Sequence, residues 1–401
     1  MAALVPGHSV QLLQGGAEFF PALVSAIDAS RLEVRIETYI FNLDASGQAV
    51  AEALLRAAAR GVSVYLVIDG AGTPSLPREL AERFTAAGLN WRIFSPLAGL
   101  GWLVPRNWRR LHRKLCVVDG QVAFCGGINV LDDFFDPNHG VLNAPRFDFA
   151  VRVSGPLVRD AQEAVTQFWL RLKATRNVRD FDFGSAWAAL QAAMHAHRTT
   201  SAGPTDKSNL STRAALVLRD NFRHRTRIER AYRKAIGAAR SEIIIANAYF
   251  VPGLRLHNAL VHAARRGVRV RLLLQGKYEY FMQYHAARPV FGALLKVGVE
   301  IHEYSASFLH AKVAVVDGRW ATVGSSNLDP LSMLLAREAN VVVDDASFAS
   351  ELRRRLDLAM QTEGRMLDPL LYANRPWSQR FLDSIAYWLM RGMLFLNGSR
   401  Y

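Results

Sequence analysis

The sequence is poor in cysteine: its 401 residues contain two, Cys116 and Cys125. Two thiols build neither a disulfide framework nor a cysteine-based zinc site. They flank one Asp-Gly turn, and buried free thiols, which pack as small apolar groups, are the expected state. Also missing is an apolar run of about 20 residues, the length that crosses a bilayer. The nearest approach, Ile385 to Leu396, is short and interrupted by Arg391. The opening residues lack the basic start and long apolar core of a secretory signal, so a cytoplasmic chain with at most peripheral membrane contact is expected. Acidic residues are in deficit, 35 against 49 Lys and Arg, for a net charge of +14. An excess of that size points to an anionic partner without choosing among nucleic acid, anionic membrane and phosphorylated substrate. What is present is apolar bulk: 50% of the residues are hydrophobic, which excludes extensive disorder and leaves room for two cores.

The chain says nearly the same thing twice. "LHRKLCVVDGQVAFCGGIN" from Leu111 returns as "LHAKVAVVDGRWATVGSSN" from Leu309. Upstream, "LLRAAARGVSVYLVIDG" matches "LVHAARRGVRVRLLLQG", and "VRIETYIF" matches "IIIANAYF". Each copy runs from an alanine-rich helix into a strand (Leu32–Phe41; Glu242–Phe250). A second helix then ends at Arg-Gly-Val, where glycine suits a helix C-cap. A strand follows (Val62–Ile68; Val268–Leu274), then a helix, a short strand and the hairpin carrying the histidine. Strands alternating with helices predict α/β layers around a buried sheet. The Gly/Pro/Ser/Thr-rich stretch Thr199–Thr212 reads as a linker. The expected division is a first domain over 1–175, a linker over 176–212, a second domain over 213–365 and a tail over 366–401.

In both hairpins the pattern is His-x-Lys, four residues, then Asp. Side chains at i and i+2 of a strand share a face, so His112 projects with Lys114 and His310 with Lys312, while Arg113 points away on the outer face. Asp119 and Asp317 fall in the turns that end the strands. A single such hairpin is an ordinary strand end; two with identical polar spacing make two half-sites. Lysine beside each histidine repels a metal and favours an anion, and a phosphodiester is the natural one. Lys114, Lys312, Asn129 and Asn327 suit its non-bridging oxygens, where negative charge grows in the transition state. One histidine can attack phosphorus while the other protonates the leaving oxygen.

These paired motifs, with their Gly-Gly-x-Asn and Gly-Ser-x-Asn tails, resemble those of the phospholipase D superfamily. The second half in particular resembles the bacterial cardiolipin synthases of the B-type, which lack transmembrane helices. The resemblance covers nearly the whole chain. It implies two α-β-α sandwich repeats related by a pseudo-twofold, with one shared active site. It implies a catalytic set of His112, Lys114, Asp119, His310, Lys312 and Asp317, and a phosphohistidine formed on His112 with His310 as acid, then base. Asp148 in "RFDFAVRV" and Glu338 in "AREANVVV" match the family's acidic residue beyond each motif. Neither metal nor cofactor is implied. The partners it implies are phosphatidylglycerol, with phosphatidylethanolamine as an alternative donor, and an anionic membrane surface on the cytoplasmic side of the inner membrane. Nucleic acid is not expected. A hydrolase with water as acceptor and a nucleic-acid phosphodiesterase remain the competing readings. The stretch Ser95–Lys114, rich in Leu, Trp and Arg, reads either as a headgroup-level loop or as a loop folded over the core. The segment Arg380–Leu396 reads as an interfacial helix, a lid or a docked helix. Tyr39 and Tyr249 end corresponding strands and are equally compatible with packing and with lining the cleft.

Overall fold

The computed structural model describes residues 3–96, 108–179, 212–220, 224–278, 281–329 and 336–396. Residues 97–107 of the Leu/Trp/Arg loop and 180–211 of the linker region lie outside the described residues.

The first half contributes β1 (Val5–Gln14), β2 (Glu33–Thr38), β3 (Ser63–Asp69), β4 (Asn90–Phe94), β5 (Arg110–Leu111), β6 (Lys114–Val118), β7 (Val122–Gly126), the small pair β8 (Phe135–Asp136) and β9 (Gly140–Val141), and β10 (Phe149–Ser154). Its helices are α1 (Gly15–Asp28), α2 (Ala45–Ala59), α3 (Arg78–Ala86) and α4 (Leu157–Arg179). The second half contributes β11 (Thr212–Arg219), β12 (Glu242–Asn247), β13 (Arg269–Gln275), β14 (Glu300–Tyr304), β15 (Lys312–Val316), β16 (Trp320–Gly324), β17 (Ala336–Asp344) and β18 (Gly364–Met366). Its helices are α5 (Arg227–Ala238), α6 (Leu254–Arg265), α7 (Phe281–Leu295), α8 (Ala346–Thr362), α9 (Pro369–Ala373) and α10 (Trp377–Leu396).

The sheet order shows the duplication. From the junction outward the first half reads β1-β10-β7-β6-β2-β3-β4, and the second reads β11-β17-β16-β15-β12-β13-β14, with β18 added at the edge. β1 and β11 meet antiparallel at the centre, as a pseudo-twofold between equivalent strands requires. Helices α1–α3 cover one outer face around Leu54, Leu66 and Phe84. Helices α5–α7 cover the equivalent face around Ile236, Leu260 and Leu272. The inner faces of both halves share one core with α4 and α8, containing Val151, Ala161, Val313 and Leu352. This is the expected α-β-α architecture, and it sets the two hairpins against each other.

Local chemistry repeats as well. After α2 and α6, Gly61 and Gly267 take φ +83° and +86°. The next amides, Val62 N–H and Val268 N–H, reach back to the carbonyls of Ala57 and Ala263. That is a Schellman stop, accessible to glycine without steric cost. Each hairpin turns on Asp-Gly with positive φ at both residues (Asp119 52°, Gly120 64°; Asp317 51°, Gly318 60°), the turn whose twist suits antiparallel strands. Cys116 and Cys125 are buried and free.

The tail is built into the second half: β18 pairs with β14, and Tyr372 of α9 donates its hydroxyl proton to the Arg288 carbonyl on α7 at 2.8 Å. α4 runs to Arg179, beyond residue 175. Among the described residues, no helix is long and apolar enough to cross a membrane.

Candidate active site

The strands β6 and β15 begin at the lysines, so each histidine sits just ahead of its strand, where the chain crosses to the other half. His112 N–H donates to the Arg337 carbonyl at 3.0 Å, and His310 N–H donates to the Phe147 carbonyl at 2.9 Å. Both acceptors immediately precede an acidic residue, Glu338 and Asp148. The preceding residues are held from within their own half: Leu111 N–H donates to Asp69 at 2.6 Å, and Leu309 N–H to Gln275 at 3.1 Å. Asp69 and Gln275 close the equivalent strands β3 and β13, so the support is duplicated with a carboxylate in one copy and a side-chain amide in the other.

This stitching crosses the carboxylates. His112 Nδ1 lies 3.0 Å from Glu338 Oε1, and His310 Nδ1 lies 2.7 Å from Asp148 Oδ2. Each imidazole is therefore oriented by an acid from the opposite half. An acid on Nδ1 directs the proton there and leaves Nε2 to carry the chemistry. Lys114 Nζ donates to the His112 carbonyl at 2.8 Å, and Lys312 Nζ to the His310 carbonyl. Both lysines are buried. Two buried cations beside two imidazoles form a cradle for an anion.

Burial sets the protonation states. It lowers His112, and Lys114 and Lys312 add to that while Glu338 opposes it. His310 is held well below its ordinary value by burial and by both lysines. Asp148 is pushed up to about 7, chiefly by burial. Burial also acts to raise Glu338, but His112, Lys114 and the Ser325 hydroxyl outweigh it and hold this carboxyl below its usual range. The pairs thus differ: Glu338 is a firm anion behind His112, and Asp148 titrates near neutrality behind His310. Lys114 is lowered to about 7 by burial first, with Lys312 contributing and Glu338 opposing. A deprotonated lysine binds anions poorly, so the affinity for dimethyl phosphate is expected to fall as pH rises through about 7. The limiting slope is about tenfold per pH unit. Calorimetric titration from pH 6 to 9 checks this, and a flat profile contradicts it.

The site thus brings together His112, Lys114, His310, Lys312, Asp148 and Glu338. Asn129 is buried, its Oδ1 accepting from Ile40 N–H at 3.1 Å. Asn327 is buried, with its Oδ1 unpartnered among the described residues. Asp119 and Asp317 are not brought to the histidines, because they occupy the far ends of the hairpin strands. Asp119 accepts from the backbone of Arg31, Leu32 and Glu33. Asp317 accepts from Arg240, Ser241 and Glu242. Both tie a helix end to the following strand. D317N is accordingly expected to lower stability by about 1–2 kcal/mol while leaving turnover per folded molecule unchanged. Denaturant melts and active-site-normalised rates separate the two effects.

Arg113 is a correction. It is buried, not a bystander on an outer face. Its guanidinium pairs with Glu37 and donates to the Ala164 carbonyl of α4 at 3.2 Å, because α4 covers that side of the strand. Of the two readings the sequence allowed for Tyr39, the structure places it at the site, and Ser325 and Gly127 emerge only in three dimensions. The Tyr39 ring packs edge-on against His112 with centroids 5.0 Å apart, and Lys114 Nζ stands 5.3 Å from its centre. Ser325 donates its hydroxyl proton to Glu338. Its counterpart Gly127 faces Asp148 so closely that a Cβ there would lie 2.2 Å from Oδ1. G127A is therefore expected to displace the Asp148 carboxylate and cut kcat on the order of 100-fold, with the fold retained by circular dichroism. Among the described residues, no group of three or more His, Cys, Asp or Glu side chains is arranged to hold a metal.

The two repeats also show in comparison with known proteins. The family model "Cardiolipin synthase, PLD-like domain" matches residues 23–143 and 232–359, the two repeats. Cardiolipin synthase B of Escherichia coli K12 is 37% identical over 394 residues, covering 98% of this chain and 90% of that protein. A probable cardiolipin synthase of Bacillus subtilis is 28% identical, covering 94% and 71%. Among solved structures, the phosphatidylserine synthase of Haemophilus influenzae superposes with a TM-score of 0.67 at 13% identity, covering 99% of this chain and 95% of that one; this likeness concerns the fold. The chain belongs to the proteins built from paired PLD-like domains and, within them, to the cardiolipin synthase family.

Proposed function

We propose that the protein is a cardiolipin synthase, moving the phosphatidyl group of one phosphatidylglycerol onto the free glycerol hydroxyl of another. His112 Nε2 attacks phosphorus, and the bond to the headgroup glycerol oxygen breaks. His310 delivers a proton to that oxygen, and glycerol leaves. In the second step His310 takes the proton of the acceptor hydroxyl, whose oxygen displaces Nε2 from phosphorus. The products are cardiolipin and free enzyme.

The crossed pairs support this division of labour. A firm Glu338 anion keeps the proton on Nδ1 of His112 and the lone pair on Nε2, as a nucleophile needs. The His310–Asp148 pair holds a proton that titrates near neutrality, as an acid–base couple needs. A bound phosphodiester anion offsets the two lysines and raises His310 toward the range where it donates. Lys114, Lys312 and the amides of Asn129 and Asn327 receive the non-bridging oxygens.

Supporting the lipid reading are the family membership and the identity to cardiolipin synthase B over nearly the whole chain. The same reading places the protein peripherally on the cytoplasmic face of the inner membrane. The test is incubation of pure protein with phosphatidylglycerol vesicles. Cardiolipin and glycerol in equal amounts are expected. Phosphatidic acid without cardiolipin contradicts the transferase and identifies a hydrolase.

A further inference from the structure

Helix α10 has two apolar faces. One is docked: Ala386 and Asp383 are buried against α7. There Asp383 accepts from His285 at 2.7 Å and from Arg375 at 2.9 Å. The opposite face carries Trp377 (79% exposed), Phe381 (62%), Ile385, Trp388 (68%) and Leu389. Successive spacings of four, four and three residues from Trp377 to Trp388 line these side chains along one side of the helix. A helix on the surface of a soluble protein turns charge outward; this one turns tryptophan, phenylalanine and leucine outward. Its docking is fixed by a buried polar clamp, so the outward face is a consequence of the fold.

Position and charge indicate what covers it. Tyr372 is anchored at Arg288, and Asp383 at His285, nearer the start of α7. The chain therefore advances along α7 toward its N-terminal end. That end follows β13, whose last residue, Gln275, holds Leu309 next to His310. Tyr278 and Phe281 are exposed at this same end. Both rings contact His285, the partner of Asp383 on α10, so an exposed aromatic shoulder adjoins α10 here. The segment 369–401 carries four arginines against one aspartate.

We propose that this shoulder, the outer face of α10 with Tyr278 and Phe281, is the surface on which the protein lies on an anionic phospholipid bilayer. The helix axis lies in the plane of the headgroups, the rings enter the acyl boundary, and the active site opens beside them. The proposal rests on the lipid-substrate reading above. It explains how a chain without a described spanning helix takes a headgroup from a bilayer that holds both donor and acceptor.

The experiment is flotation of the full chain with phosphatidylglycerol vesicles, comparing wild type with the double variant F381E/W388E. Wild type is expected to float. The variant should need on the order of 100-fold more lipid for half-binding, since two buried rings are replaced by charges the surface repels. Its activity on short-chain phosphatidylglycerol below the micelle threshold should be unchanged. Brominated acyl chains should quench tryptophan emission in wild type and less so in W388F, which keeps the apolar face. Equal flotation of wild type and F381E/W388E overturns the proposal. So does a wild-type dimer that the variant dissolves, because the face is then an interface between copies. If wild type floats but does not turn over the short-chain lipid, the functional reading fails and the docking surface stands.

Discussion

H112A is expected to make no cardiolipin and to form no covalent intermediate, a loss on the order of 10⁴-fold or more in kcat. His112 is the group whose Nε2 lone pair is freed by a firmly ionised partner, and no other described side chain in the site is so placed. H310A is expected to be as poor with phosphatidylglycerol, because glycerol leaves badly without a proton. The two variants separate when the leaving group needs no proton. With phosphatidyl-p-nitrophenol, H310A should release one equivalent of nitrophenol in a burst and then stall, while H112A should release none. A burst from H112A reverses the roles.

The second large effect concerns the acids, and its pattern follows from the crossing. E338Q keeps the shape of the side chain, but an amide cannot hold the His112 tautomer as a carboxylate does. A loss on the order of 10²- to 10⁴-fold is expected, and a better leaving group should not restore it. D148N should lose activity on the same scale with phosphatidylglycerol and recover most of the rate of the first step, the nitrophenol burst, with phosphatidyl-p-nitrophenol, because its defect in that step lies in the acid. Pairing within each half predicts the opposite assignment: D148N would impair attack, and E338Q would be rescued. Rapid-quench rates with the two donors decide between them.

Much of this was legible in the chain. The repeated His-x-Lys spacing located both half-sites, and the β2, β3, β12 and β13 strands fall within a few residues of the hydrophobic runs that announce them. The Arg-Gly-Val stops and Asp-Gly turns act locally, so a few residues suffice to read them. The crossing was not legible, because Glu338 meets His112 across 226 residues and the contact depends on how the halves face each other. Arg113 was misread for a related reason. Strand alternation states that it points away from His112, but not that α4 closes that side. A signal did exist in Glu37, a charge inside the run "VRIETYIF", which a buried strand tolerates only with a partner. Asp119 and Asp317 share the motif with the histidines but stand at the opposite end of the strand, where they accept three backbone N–H groups each and organise the turn. Ser325 and Gly127 were hidden in plain spacing. They occupy the same place in the two copies and adapt it to a glutamate and an aspartate of different length.

The most direct test of the central claim, one site shared by two halves with His112 as nucleophile, is to trap the intermediate. H310N is mixed with phosphatidyl-p-nitrophenol labelled in the phosphatidyl group, quenched under conditions that preserve phosphoramidate bonds, and mapped by peptide mass. The account predicts label on the peptide containing His112, at one per chain. Label on any other residue, or none after a full burst, contradicts it.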